Sequence, residues 1–149
     1  MKVKMKLGEL QSVIVNLQAV KAKKLPVKVQ YALAVNIKTL TEKYVAYNTQ
    51  RTEILEKDCV KDADGHPVLK DRVTKNAAGE VVNTQQEYTY GSDDDRERAL
   101  KEVAELNNIE EELELKHMIT LEELERCDEE PYDGLTGTNV QDMLFMISE

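Results

Sequence analysis

The fold is decided by residues 27–57, which have the sequence VKVQYALAVNIKTLTEKYVAYNTQRTEILEK. Large side chains recur there every three or four residues, which is the spacing of one helical face. At 1.5 Å per residue the segment predicts a helix about 45 Å long. A first stripe on this helix consists of Leu33, Ile37, Leu40, Tyr44 and Tyr47. A second stripe beside it consists of Tyr31, Ala34, Thr41 and Val45.

Two stripes on one helix require two partners. A shorter helix precedes the long one, because the apolar residues from Leu10 to Val20 have the same helical spacing. Pro26 favours the first turn of a new helix, so the two helices are predicted to form an antiparallel pair. The stripe left over needs either later strands or another copy of the protein. We therefore predict that the chain self-associates through the first stripe.

The segments on either side of this helical pair predict short strands. Val3, Met5 and Leu7 alternate with lysines, and this period of two indicates a strand with one apolar face. Residues 62–65, DADG, have the composition of a turn. Strand candidates at 68–74 and 80–84 flank a Gly-containing link, which favours a β-hairpin.

The C-terminal third predicts a further strand and more helices. Ser92 begins a third helix, Leu113 and Leu115 indicate a strand, residues 120–124 form one helical turn, and Thr138 caps a last short helix. The predicted fold class is α+β and helix-dominated. It has an N-terminal strand, an antiparallel helical hairpin with one long helix, a small antiparallel sheet or hairpin, and two shorter C-terminal helices.

Charge is distributed unevenly along the 149 residues. Residues 1–45 contain nine lysines and two glutamates, a net charge of +7, whereas residues 46–149 contain eleven basic and 27 acidic residues, a net charge of −16. The length favours a single domain, 1–149, with 1–58 as a basic strand plus helical hairpin and 59–149 as an acidic α+β remainder. The two parts either complement one another within the fold, which we favour, or the basic part faces an anionic partner. The net charge of −9 disfavours nucleic acid as that partner.

The chain lacks the residue patterns of known catalytic and metal sites. It has no Gly-x-Gly-x-x-Gly or Walker-type loop, and 29 acidic residues bring carboxylates together by chance. An EF-hand loop centred on Gly65 would have Val60 at its first ligand position, where a carboxylate is required. We therefore predict no enzyme, no metal and no cofactor. A small hydrolase that uses His66 or His117 is the competing hypothesis.

The two cysteines, Cys59 and Cys127, are predicted to be reduced thiols. A chain of this length can bury its own core and does not need a disulfide. Together with the two histidines they also lack the close ligand pairs of a zinc site. Apolar runs are too short to span a membrane, and the N-terminus lacks the apolar region of a secretory signal.

Four lysines cluster at the link between the first two predicted helices, and they are Lys21, Lys23, Lys24 and Lys28. Beside the N-terminal amides of the long helix, and with Tyr31 one turn further on, they could receive a phosphate-bearing small ligand or an acidic partner. The alternative is a solvated helix end with no ligand.

Three segments resemble a known family of phage proteins. They are MKVKMKLGELQSVIVNLQAV at 1–20, KLPVKVQYALAVNIKTL at 24–40 and KDADGHPVL at 61–69. The family is the domain of unknown function 1617, found in phages and prophages of Gram-positive bacteria. Residues 119–147 are similar to the strand, link and apolar helix that end its members, and residues 75–95 match less well. The family has no established activity, so the resemblance implies a phage origin and no catalysis.

We therefore predict a non-enzymatic phage-encoded binding protein that is a virion or assembly component. Its expected location is the cytoplasm of the infected bacterial host, or the virion. Its expected partners are phage or host proteins and further copies of itself, with no membrane. The alternative is an antagonist of host defence that binds a host protein or sequesters a nucleotide signal.

Self-association predicts that the molar mass in solution rises with concentration. Multi-angle light scattering over a hundredfold range of protein concentration should detect this rise. A constant monomer mass across that range would contradict the predicted contact between copies.

Overall fold

Five helices and six strands form the regular structure of residues 1–148, the part of the chain that the computed structural model describes. The helices are α1 (Leu10–Lys21), α2 (Val27–Lys57), α3 (Asp93–Asn107), α4 (Leu121–Arg126) and α5 (Gly137–Met143). The strands are β1 (Lys2–Lys6), β2 (Leu69–Lys75), β3 (Val81–Tyr88), β4 (Glu110–Glu114), β5 (Ile119–Thr120) and β6 (Ile147–Ser148). Short 3-10 turns lie at Leu7–Glu9 and Leu144–Met146. The predicted α+β, helix-dominated fold class is confirmed.

Helix α2 has the predicted bounds, and local interactions explain where it begins. Pro26 immediately precedes it and accepts a hydrogen bond from the backbone N–H of Gln30 through its carbonyl (3.0 Å). The Gln30 side-chain amide donates to the carbonyls of Lys21 and Lys23, at 3.1 and 2.6 Å. These carbonyls at the end of α1 have no partner within their own helix, so Gln30 caps α1 from the first turn of α2.

The chain divides into two compact units. Unit 1 contains Met1–Tyr47 and Asn107–Glu149, and unit 2 contains Asn48–Leu106. This division differs from the predicted boundary near residue 58. The difference arises because the chain after α3 returns to pair with the N-terminal strand, whereas the last turns of α2 share a core with α3.

Unit 1 is closed by an antiparallel pair of strands with opposite charges in register. In β1 and β4, Lys2 faces Glu114, Lys4 faces Glu112 and Lys6 faces Glu110. Cross-strand pairs of opposite charge stabilise a sheet, and this pairing confirms that the basic and acidic parts of the chain complement one another. Beyond this sheet, α1 lies against α5 and β5 pairs in parallel with β6.

One face of α2 is buried inside unit 1. Val29, Leu33, Asn36 and Leu40 are fully buried, at spacings of three and four residues. The Asn36 amide donates to the carbonyl of His117 at 2.7 Å, which shows that the C-terminal part of the chain covers this face. The predicted self-association surface is therefore wrong for Leu33 and Leu40, because the chain's own residues enclose both side chains.

Unit 2 consists of the last turns of α2, the β2–β3 hairpin and α3. Leu55, Ala99 and Val103 form its buried cluster, with Tyr88 and Tyr90 packed against it. The predicted hairpin is confirmed as an antiparallel pair, and its turn includes a glycine, Gly79, at a φ of 80° that L side chains rarely adopt. Most of the hairpin itself is exposed.

The C-terminal helices begin with capping boxes. Thr120 accepts from the backbone N–H of Glu123 and caps α4. Thr136, and not the predicted Thr138, caps α5. Its Oγ1 accepts from the backbone N–H of Asn139, and the Asn139 side chain accepts from the backbone N–H of Thr136. Thr138 lies inside the helix that it was expected to begin.

The burial of α2 predicts a large cost for truncating its inner face. Leu33→Ala should lower the free energy of unfolding by about 2–5 kcal/mol, because a fully buried leucine leaves a cavity. Val15→Ala in α1, where the side chain is 56% exposed, is the matched control and should change it by less than about 0.5 kcal/mol. Urea denaturation measures both. A Leu33→Ala protein of unchanged stability but lower molar mass would show that Leu33 faces another copy instead.

Candidate anion-binding cleft

A cleft of about 300 Å³ lies in unit 2 between the last turns of α2, the hairpin and α3. Its floor includes Leu55 and Leu100, and its polar walls include two neighbouring glutamines. The residues that distinguish it are Arg51, Arg72, Arg96, Tyr88 and Tyr90. We call it the arginine cleft.

Three of the five arginines in the sequence line this cleft, and each comes from a different element. Arg51 lies on α2, Arg72 on β2 and Arg96 on α3. Within residues 1–148, no carboxylate lies within ion-pair distance of any of the three. By contrast, the neighbouring Arg98 pairs with Asp58 and Asp95, at 3.4 and 3.5 Å.

The cleft also contains one acidic side chain, and that group already has a cation. Glu87 lies 3.5 Å from the ammonium group of Lys70 on the opposite strand. The charge of Glu87 is therefore neutralised by Lys70 and not by one of the three arginines. The cleft is a positive region within a chain whose net charge is −9, and a guanidinium group without an internal partner is available to an external anion.

The two tyrosines are held in place by their hydroxyl groups. The Tyr88 hydroxyl donates to Glu56 at 3.1 Å, and the Tyr90 hydroxyl donates to the carbonyl of Leu55 at 2.7 Å. Burial raises the pKa of Tyr88, the hydrogen bond and charge of Glu56 raise it further, and nearby Arg51 lowers it. Burial likewise raises the pKa of Tyr90, against the opposing charge of Arg96.

Two residues of the predicted lysine cluster, Lys23 and Lys24, contact residues 133–134 of the same chain. The Lys23 ammonium group donates to the carbonyl of Gly134 at 3.1 Å. The backbone N–H of Lys24 donates to the Asp133 carboxylate at 2.6 Å, and Asp133 donates its own N–H to the Lys24 carbonyl at 3.0 Å. These contacts fix the helical link to residues 133–134, so they are structural.

The other residues of that predicted site have similar intramolecular roles. Lys28 lies 3.7 Å from the Glu123 carboxylate. Tyr31 is 57% exposed and makes an edge-on contact with His117, with 4.9 Å between ring centroids. Lys21 is exposed and offers its α1 carbonyl to Gln30. The structure brings these residues together as predicted but gives most of them internal partners.

The rest of the predicted self-association stripe is only partly accessible. Ile37, Tyr44 and Tyr47 are half-buried. Tyr44 and Tyr47 lie against each other with 6.0 Å between ring centroids, and the Tyr47 hydroxyl donates to Asn107. With Leu33 and Leu40 enclosed, this stripe does not form a continuous apolar surface.

The Asp-rich turn brings three metal-ligating side chains together on the surface. The ligand atoms of Asp62, Asp64 and His66 lie within 4.8 Å of one another, and all three residues are exposed. The Asp62 carboxylate accepts the backbone N–H groups of Asp64 and His66, at 2.9 and 3.0 Å. A turn closed by an aspartate accounts for this arrangement.

The cysteines are both free and lie in different units. Cys127 is buried in unit 1, where burial raises the pKa of its thiol. Cys59 is half-buried in unit 2 and donates to the carbonyl of Glu56.

No family model, curated protein or solved structure matches this chain. The resemblance to the phage family therefore stays a prediction from the residues that it was based on. Within residues 1–148, no helix has both the length and the apolar character that crossing a bilayer requires. The arginine cleft, with its three arginines, is the feature of the fold that favours ligand binding.

Sequence reasoning missed the arginine cleft because its cations are far apart in the chain. Arg51, Arg72 and Arg96 are isolated in sequence, whereas the lysines at 21–28 form an obvious cluster. One available signal was that four of the five arginines in the sequence lie within residues 48–106, with at least one in each of the three segments that form unit 2. Only the packing of the hairpin and α3 against α2 brings the three residues to one cleft.

The tyrosine environment predicts a loss of stability at alkaline pH. Folding favours the protonated phenols, so the stabilisation is fully present below about pH 10 and is lost as the pH rises through the raised pKa values of Tyr88 and Tyr90. Urea denaturation between pH 8 and 11 should show a smaller alkaline decline for the Tyr88→Phe, Tyr90→Phe double variant than for the natural chain. Equal declines would contradict the assignment of this decline to the cleft.

Proposed function

We propose that the chain is a non-enzymatic binding protein that recognises an anionic group through the arginine cleft. The observation that supports this proposal is the convergence of Arg51, Arg72 and Arg96 without an internal carboxylate. Guanidinium groups bind oxyanions through paired, charge-assisted hydrogen bonds. Three of them on three separate elements would hold such a group from several sides.

The chemistry of the cleft favours binding over catalysis. Tyr88 and Tyr90 have raised pKa values and stay protonated near neutral pH, so neither is suited to accept a proton there. Arginine stays charged at every physiological pH and does not transfer protons. Glu87, the acidic residue of the lining, lies beside the Lys70 ammonium group. The arginines can therefore fix and neutralise an anion.

The proposal retains a phage origin on the strength of the resemblance in residues 1–69. Two roles follow, in the virion or in the cytoplasm of the infected host. As a virion or assembly component, the protein would hold an acidic segment of a partner protein. As an antagonist of host defence, it would bind a host protein or sequester a nucleotide signal. The cleft favours the second role, because a cationic cleft of about 300 Å³ suits a small anion better than a broad assembly contact.

Neutralising one cleft arginine should weaken the binding of a simple oxyanion. We expect inorganic pyrophosphate to bind the full chain at low ionic strength, and Arg51→Gln or Arg96→Gln to weaken it roughly tenfold or more, since a hydrogen bond to a charged group contributes about 1.5–3 kcal/mol. Isothermal titration calorimetry measures the affinities. Affinity should also fall as salt is raised, because the interaction is electrostatic.

Arg98→Gln is the matched control for this experiment. It removes the same charge from the same helix as Arg96, but its guanidinium group pairs with Asp58 and Asp95. Arg98→Gln should change the Kd for pyrophosphate by no more than about twofold. This is small beside the tenfold change, about 1.4 kcal/mol, expected for the cleft arginines. Equal losses in Arg96→Gln and Arg98→Gln, or no binding by the natural chain, would refute the proposed site.

A further inference from the structure

We infer that the arginine cleft takes a nucleoside phosphate, with the phosphate at the arginines and the base beside the tyrosines and glutamines. This inference rests on the proposed function and narrows its ligand to one chemical class. Three properties of the cleft point to a nucleoside phosphate. They are its positive charge, its tyrosine rings and the glutamine amides that have no partner within the chain.

The charge of the cleft suits a phosphate ester. Arg51, Arg72 and Arg96 present planar guanidinium groups, which match the geometry of phosphate oxygens. A phosphate alone, however, would leave much of the lining without a partner. Leu100, which is 49% exposed, and the accessible parts of both half-buried tyrosine rings would then face water.

The tyrosines offer a ligand their rings and not their hydroxyl groups. Both hydroxyls already donate within unit 2, to Glu56 and to the carbonyl of Leu55. These hydrogen bonds fix the rings, so a ligand that packs against them loses little side-chain entropy. A planar base is the part of a phosphate-bearing metabolite that gains from an aromatic surface, since every base has a π-face.

The glutamine side chains can both donate and accept hydrogen bonds. Gln85 and Gln86 line the cleft from opposite faces of β3, since successive side chains of a strand alternate. Neither side-chain amide has a hydrogen-bond partner in the described part of the chain. Gln85 lies directly opposite Arg72 in the hairpin register. An amide donates and accepts at once, as the edge of a base also does. An amide next to a guanidinium group therefore suits a ligand that joins a base to a phosphate.

The size of the cleft favours one nucleotide over a peptide. Its volume of about 300 Å³ is at the lower end of the range for small-molecule sites. An acidic peptide would need room for several residues to place its carboxylates against all three arginines. A single nucleotide combines the anion and the ring in one compact molecule.

The test compares ligands that share the phosphate and differ in the base. Isothermal titration calorimetry on the full chain would use the 5′-monophosphates of adenosine, guanosine, cytidine and uridine, with ribose 5-phosphate, pyrophosphate and hexaglutamate as reference probes. We expect at least one nucleotide to bind about tenfold more tightly than ribose 5-phosphate, because stacking and amide contacts are added to the same charge contacts.

Two substitutions separate the base from the phosphate. Arg72→Gln should weaken nucleotide and ribose 5-phosphate binding by similar factors. Gln85→Ala should weaken only the nucleotide and so reduce its preference over ribose 5-phosphate. Gln18→Ala, at an exposed position of α1 in unit 1, is the matched control and should alter neither. Far-ultraviolet circular dichroism confirms that each variant is folded.

Each failure has a different meaning. If ribose 5-phosphate binds as tightly as all four nucleotides, the base is not recognised and this inference is wrong, while the anion site stands. If hexaglutamate binds more tightly than every nucleotide, the ligand is an acidic protein segment and the inference is also wrong. If pyrophosphate and every other probe fail to bind, the proposed function itself fails.

Discussion

The apolar residues of α2 must be covered along most of its 31 residues, and the other elements of each unit meet that constraint. In unit 1 the buried face includes Leu33 and Leu40, which the C-terminal segment helps to enclose. In unit 2 it is Leu55, which packs with Ala99 and Val103 of α3. Burying a leucine contributes about 1.5–3 kcal/mol, which is large beside a net stability that is typically only 5–15 kcal/mol. The hairpin, α3 and β4 follow α2 in the chain in that order.

Most basic side chains with an acidic neighbour in this protein are lysines, Arg98 being the exception, whereas the basic side chains of the cleft are arginines. Lysines of β1 face glutamates of β4, and Lys28 and Lys43 lie near acidic residues of the C-terminal part of unit 1. Such exposed pairs each contribute little, about 0–1 kcal/mol, but in register they align two strands of opposite charge. The arginines of the cleft lack such partners. A guanidinium group is weakly hydrated and forms paired hydrogen bonds, so it suits a partly enclosed anion site better than an ammonium group does.

Local patterns predicted the elements well, and the site poorly. The bounds of α2, the hairpin around Gly79 and the Ser92 cap of α3 all depend on neighbouring residues, which a linear sequence shows directly. The lysine cluster was also a local pattern, and in the structure the Lys23 ammonium group and the Lys24 backbone contact residues 133–134. A cluster of like charges looks the same in the sequence whether it binds a ligand or another part of the chain. Its neighbours in space decide between the two, and those neighbours lie about a hundred residues away.

Composition, helical period and turn residues were enough to establish the fold class, the length of α2 and the complementary charges of the two parts of the chain. These properties depend on the pattern of nearby residues or on the charge summed over long segments. Both can be read from the sequence without a three-dimensional structure. The enclosure of Leu33 and Leu40, the capping of α5 by Thr136 and the meeting of Arg51, Arg72 and Arg96 depend on the tertiary structure. Each requires the positions of specific atoms on different elements, because burial and electrostatic contact act over a few ångströms in space and are independent of separation along the chain.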